Sequence, residues 1–297
     1  MCDDLTEIDN AEFAKKGGAL NRRDFSKFTS IAAFTSILPL TACANGSVDG
    51  GLVETDVNIT MADGVSDSYF VHPANGAHAG VLIWPDILGL RPAFKAMGKR
   101  LAKAGYAVLV VNPFYRDAKA PVVSPGQNFG MPDVREKVLP MARRLTQDAS
   151  MSDARAYIAF LDAQNSVDKS RKIGTAGYCM GGPLIMRTAG ALPSRVGAAA
   201  SFHGGGLVTD RPDSPHLLIP NSPAHVLHAI AENDYEKAPE VKPALIAAYA
   251  SANVPAEIEV YEGTLHGWCP PDSPVYNEAA AEKAWSRLLA LYARALA

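Results

Sequence analysis

Lys172 to Ala176 forms an apolar, strand-like lead-in that runs straight into Gly177-Tyr178-Cys179-Met180-Gly181-Gly182, and a helical pattern follows. Gly-x-nucleophile-x-Gly at a strand-to-helix junction is the pattern of a nucleophile elbow, here with Cys where Ser is commoner. The central residue of such an elbow sits in a strained turn, and the flanking glycines Gly177 and Gly181 let the backbone pass close enough to make it. The sulfur of Cys179 then points out of a sheet at a helix N-terminus, whose partial positive charge favours thiolate. A buried structural Cys in a Gly-rich turn is the competing reading, and the rest of the chain weighs against it.

An α/β-hydrolase presents nucleophile, acid and His in that order, each on a loop after a strand. Ala224 to Ala231 reads as a buried strand that empties into Glu232-Asn233-Asp234. Ala256 to Tyr261 alternates like an edge strand and leads to Glu262-Gly-Thr-Leu-His266-Gly-Trp268. Cys179, Asp234 and His266 are therefore the candidate triad. His203 also ends a strand, Val196 to Phe202, but it precedes the acid; it is read as a pocket residue. His225 and His228 lie within a strand and read as sheet residues. Asp210 and Asp213 sit in the Pro-rich stretch Thr209 to Pro223 with no strand delivering them, and read as solvated acids.

The elbow, the Glu-Asn-Asp segment, the Leu-His-Gly-Trp segment and Ile83-Trp-Pro-Asp-Ile-Leu-Gly-Leu90 after an early strand together resemble the dienelactone hydrolase family over about residues 53–297. The resemblance implies a single α/β-hydrolase domain, a mostly parallel sheet with helices on both faces. It also implies lactone or ester opening by a thiolate, with Cys179, Asp234 and His266 as triad. By the same resemblance Asp86 is the acid that contacts the resting thiol, and the backbone amides of Ile87 and Met180 form the oxyanion hole. Asp86 stands where Glu is typical, one methylene shorter. Pro270 stands where the family's founding members carry a substrate-binding arginine four residues after the catalytic His. Arg91 and Arg116 are candidate substitutes, since a guanidinium suits a carboxylate. His203 and Trp268 are further candidates for lining the pocket. The resemblance implies a small-molecule ester or lactone substrate, no cofactor and no metal.

The N-terminal part reads differently. Asn21-Arg-Arg-Asp-Phe-Ser-Lys27 is a twin-arginine pattern, and Phe28 to Leu40 is a moderately apolar stretch that suits an export signal. It is shorter than the ~20 residues that span a bilayer. Leu40-Thr-Ala-Cys43 has the form of a lipobox, which makes Cys43 a lipidation candidate and the product a membrane-tethered lipoprotein. Ordinary cleavage near Ala44, giving a periplasmic protein, is the alternative. The chain thus divides into an export signal (1–43), a Gly- and Ser-containing tether (44–51) and the hydrolase domain (52–297). Within that domain Cys179 and Cys269 are the remaining cysteines. Cys269 reads as a packing residue, with a disulfide to Cys179 as the alternative.

A formal net charge of −3 offers no basic surface for nucleic acid. Nor does the sequence point to an obligate protein partner. Strands are expected near residues 53–61, 69–72, 81–84, 107–112, 173–178, 197–202, 224–231 and 258–261. Helices are expected near 93–104, 151–161, 180–191, 239–252 and 278–296. Alternation of the two implies a parallel sheet, with the first two strands as an antiparallel edge. Lys119 to Thr146 interrupts the rhythm and reads as an insertion over the site, with Phe129, Met131, Trp268 and Tyr178 as candidate pocket walls. A binding lipoprotein that keeps the fold without chemistry is the rival function.

Overall fold

A computed structural model describes residues 10, 12 and 46–297. The twin arginines Arg22 and Arg23 and the lipidation candidate Cys43 lie outside the described residues. Among the described residues no helix is long and apolar enough to cross a membrane.

Nine strands form one sheet: β1 (Gly46–Asp49), β2 (Leu52–Met61), β3 (Gly64–Pro73), β4 (Gly80–Trp84), β5 (Ala107–Val110), β6 (Ile173–Tyr178), β7 (Val196–Phe202), β8 (His225–Ala231) and β9 (Ala256–Tyr261). Their order is β1-β2-β3-β5-β4-β6-β7-β8-β9. The first three are antiparallel to their neighbours, and from β5 to β9 all pairings are parallel. Every residue of β4, β5 and β6 is buried. This suits parallel strands covered on both faces, which carry apolar side chains in both directions.

The helices are α1 (Pro92–Lys103), α2 (Pro132–Arg143), α3 (Gln147–Asp162), α4 (Gly181–Ala191), α5 (Glu232–Lys237), α6 (Val241–Ser251) and α7 (Glu278–Ala295). Side-chain alternation along the strands builds two cores. On one face Leu82, Trp84 and Leu109 pack with Ile158, Leu161 and Ile185 of α3 and α4. On the other, Val81, Ile83 and Val110 pack with Phe94 and Leu101 of α1 and Leu288 and Tyr292 of α7. Arg100 of α1 joins Glu282 of α7 through two hydrogen bonds, at 2.7 and 2.6 Å, and lies over the Trp285 ring.

Three expectations change. Residues 46–49 do not act as part of a tether; they pair with β2, Gly46 opposite Thr55 and Asp49 opposite Leu52. Gly50 and Gly51 make the turn with φ of 57° and 82°, the two positive values that a two-residue hairpin of this hand demands. Residues 119–146 contain a helix, α2, started by Pro132 at its first turn, where proline's fixed φ is already helical. The segment after β8 is the short helix α5 and not a loop, so Asp234 sits in a first helical turn.

Candidate active site

Cys179 joins β6 to α4 with φ of 52° and is almost wholly buried. A non-glycine residue in the left-handed region is strained. The surroundings hold it there. Its N–H donates to Phe202 O at 3.0 Å, and its carbonyl accepts from Gly182 N at 2.9 Å. A Cβ at Gly177 would lie 2.0 Å from Gly181 O, and one at Gly181 would lie 2.4 Å from Trp84 O. The second distance shows that the chain leaving β4 passes directly against the elbow. Residues 84–87 and the first turn of α4 therefore converge beside Cys179.

Asp234 and His266 come from different strand ends and meet. His266 Nδ1 lies 2.8 Å from Asp234 Oδ2 and 3.0 Å from Oδ1. The carboxylate fixes the ring by its Nδ1 edge and leaves Nε2 for other partners. The backbone of His266 is held separately: its N–H donates to Asn233 Oδ1 at 2.8 Å. Asn233 Nδ2 donates to Asn10 Oδ1 at 2.6 Å, and Asn10 Nδ2 donates to His266 O at 3.1 Å. Cys179 and His266 line one pocket with Asp86, Ile87, Leu88, Gln127, Asn128, Phe129 and Ser273. The cavity is small, about 70 Å³, and partly open to solvent. Among the described residues no group of side chains could hold a metal ion.

Cys179 is disulfide-bonded here, and Cys269 is free and buried, so the two sulfurs are not paired with each other. Burial pushes the Cys269 thiol well above its ordinary range, as expected of a packing residue.

The other candidates are placed as follows. Asp86 gives both carboxylate oxygens to Arg91, at 2.6 and 2.9 Å, and its Oδ1 also accepts from Leu88 N at 2.9 Å. Arg91 in turn donates to Asp272 from Nε at 2.7 Å and from Nη2 at 3.0 Å. Burial opposes its charge, but the two aspartates offset that and hold its pKa above the ordinary value. Arg116 does not reach the pocket. Its guanidinium is bound by Asp153 at 2.7 and 2.8 Å and by Asp63 at 2.7 Å, and it lies over the Tyr115 ring.

His203 is buried with φ of 41°, its ring 5.3 Å from that of His266 and edge-on to it. Burial, and then the neighbouring His266, push its pKa well below the ordinary value, so it is neutral. Trp268 is fully buried, stacks on Tyr261 at 4.8 Å and lies 6.0 Å from the His203 ring; neither Trp268 nor His203 lines the pocket. Trp268 is core, as is Tyr178, which stacks on Phe202. Of the expected walls only Phe129 lines the pocket; Met131 is exposed.

Three residues of the site have no signal of their own in the sequence: Asn233, Asn10 and Asp272. Asn233 adjoins the candidate acid, and its amide satisfies the His266 backbone. Asp272 lies two residues past Pro270, and only the fold brings it to Arg91.

The sequence profile described as "Dienelactone hydrolase family" matches residues 66–296. A carboxymethylenebutenolidase of Rhodococcus opacus is 27% identical over 235 residues, covering 76% of this chain and 86% of that protein. Among solved structures, the dienelactone hydrolase-like promiscuous phosphotriesterase P91 from metagenomic libraries superposes with a TM-score of 0.68 at 19% identity. That match covers 84% of this chain and all of the other. A dienelactone hydrolase from Anabaena variabilis superposes with a TM-score of 0.57 at 17% identity, over 83% of this chain and all of that one. At those identities the superpositions speak to the α/β-hydrolase fold alone.

Proposed function

This chain belongs to the dienelactone hydrolase family, and on that premise we propose that it is a cysteine-dependent hydrolase of ester or lactone bonds. The observation that carries the reading is the Asp234–His266 pair sharing a pocket with a buried, positive-φ Cys179 at the sheet-to-helix junction.

In this reading the reduced thiol passes its proton to His266 Nε2, and the sulfur attacks the substrate carbonyl carbon. The oxygen of that carbonyl takes up negative charge and is met by the backbone amides of Ile87 and Met180. Collapse of the tetrahedral adduct breaks the C–O bond, and the leaving alkoxide takes the proton from His266. A thioester on Cys179 remains. His266 then removes a proton from water, the hydroxide attacks the thioester carbonyl, and the sulfur leaves as thiolate with a carboxylic acid released. Asp234 keeps the ring oriented and stabilises its protonated form during both steps. Esters, lactones and thioesters, whose alkoxide or thiolate leaving groups depart more readily than amines, are the substrate class.

We also read the chain as exported through its twin-arginine pattern and held at a membrane through Cys43 or released near Ala44; processing then removes Asn10, whose contacts to Asn233 and His266 belong to the full chain. Metabolic labelling with a fatty-acid analogue, beside Cys43→Ala, tests the lipid; a cleaved but unlabelled product points to simple release.

The function is tested by hydrolysis of a chromogenic acetate, a simple lactone, dienelactone and a thioester, with and without reductant, beside Cys179→Ala. Turnover by the reduced protein that disappears in the variant is expected. If reduced wild type and variant match on every substrate, and iodoacetamide labels Cys179 no faster than a free peptide thiol, the nucleophile assignment is wrong.

A further inference from the structure

Arg91 is the sole Lys or Arg among the described residues that line the pocket of Cys179, and it has nothing left to offer a ligand. A guanidinium carries five N–H donors in a fixed fork. Nε–H goes to Asp272 Oδ2. Nη1 donates to Asp86 Oδ1 and, at 3.3 Å, to Gly89 O. Nη2 donates to Asp86 Oδ2 and Asp272 Oδ1. All five are used.

The balance of charge follows. Two carboxylates against one guanidinium leave the oxyanion side of the pocket with one net negative charge. Asp86 and the guanidinium are both buried, whereas the Asp272 side chain is 44% exposed. It is therefore the carboxylate, not the guanidinium, that an incoming ligand meets. Lys237 and Lys242 line a neighbouring cleft that shares His266 with this pocket but whose walls do not include Cys179. Arg116 is committed to Asp153 and Asp63.

We propose that the site takes acyl substrates without a carboxylate and excludes anionic ones, with Asp272 the residue that sets this by covering Arg91. This rests on the hydrolase reading and narrows it. An anion approaching Cys179 would face the excess negative charge of two carboxylates on one guanidinium and would find, among the described residues lining the pocket, no uncommitted cation; like charges brought together in a desolvated pocket are how a site rejects the wrong partner. Arg91 is then a positioning residue. Anchored at both ends, it ties the 86–91 segment, and with it the Ile87 amide, to the 270–275 segment that follows the catalytic His.

The test uses the full chain after reduction and reads charge discrimination in two ways. The first does not depend on turnover: rates of Cys179 alkylation by neutral iodoacetamide and anionic iodoacetate, read by peptide mass spectrometry, with their ratio divided by the same ratio for the thiol of glutathione. The second compares kcat/KM for the 4-nitrophenyl esters of monomethyl succinate and of succinate, which differ by one carboxylate. In the alkylation pair, wild type is expected to prefer the neutral reagent by about tenfold or more over the preference that glutathione shows, and in the ester pair by about tenfold or more outright. Asp272→Ala uncovers the guanidinium and is expected to shrink both preferences by at least about threefold. Asp272→Asn, which keeps the shape while removing the charge, gives the same direction should the alanine variant fold poorly.

Equal or better reaction of iodoacetate in wild type overturns the proposal. So does a preference that neither Asp272 variant shifts. If neither ester is turned over in a Cys179-dependent way, the hydrolase reading fails by itself, and the alkylation ratio still decides whether the pocket excludes anions.

Discussion

Asp234 binds the Nδ1 edge of His266 through both carboxylate oxygens, and that single contact decides which ring nitrogen is left for the proposed nucleophile. Asn at this position can present its amide N–H to Nδ1 and stabilise the tautomer with the proton on Nε2, the wrong one for accepting a proton from Cys179. Asp234→Asn is therefore expected to cut kcat by about 10⁴-fold while leaving the thermal midpoint within about 2–4 °C, a shift that corresponds to roughly 1 kcal/mol in a domain of this size. Circular-dichroism melting beside the kinetics separates the two. Asn10 works on the same loop from its other side. Its side chain satisfies both the His266 carbonyl and the Asn233 amide, and in Asn10→Ala the latter loses a buried acceptor. Leaving such a group unpaired costs about 1–3 kcal/mol. Hydrogen exchange on the full chain should show faster exchange at the His266 amide, with the β6 amides unchanged. The proposed triad is legible in the sequence because each member comes shortly after a strand. Asn10 is not, since nothing local ties it to a residue 256 positions away.

The handover from β6 to α4 is where sequence and structure agree most closely, because its glycines are required by contact and not by turn preference alone. A methyl group at Gly177 would lie 2.0 Å from the Gly181 carbonyl oxygen, a backbone atom that cannot rotate away. Gly177→Ala is thus expected to open the elbow: hydrolysis falls below detection, and stability read by urea unfolding drops by more than about 1 kcal/mol, whereas an unstrained Gly-to-Ala change raises it by about 0.4–1 kcal/mol. A variant of normal stability and activity would mean that the turn is much softer than its geometry implies. Other elements are harder to read. β1 looks like a tether because four residues before a Gly-Gly pair resemble a linker until β2 is seen to accept them; Asp49-Gly50-Gly51-Leu52 holds the turn signal. α2 is hidden by Pro140 inside it, although Pro132 marks its start. Arg91 reads as a cation seeking a ligand, since its two aspartate partners include one 181 residues away.

At the scale of the whole molecule the α/β order is legible because period-2 and period-3.6 patterns alternate through it, while long-range side-chain pairing leaves no periodic trace. The same distinction governs its acid stability. His203 and His228 are buried on a sheet whose interior excludes water, and burial depresses both pKa values, that of His228 to about 3. Nε2 of His228 bonds the Tyr249 hydroxyl at 2.8 Å, with no carboxylate among its bonded partners. In the unfolded chain each His titrates near ~6.5. Above that pH neither state binds the proton and the groups are silent. Below it the unfolded chain gains protons that the folded one refuses, so stability falls as pH drops. Each group contributes a slope approaching about 1.4 kcal/mol per pH unit until its folded pKa is reached. Urea unfolding at pH 7, 6 and 5 should show this decline. His228→Leu removes one of the two titrating groups, and the decline between pH 6 and 5 should lessen by about one proton's worth, whatever the variant's stability at pH 7. An unchanged slope in the variant would place a proton on His228 in the folded protein, and with it a partner for the charge inside the sheet.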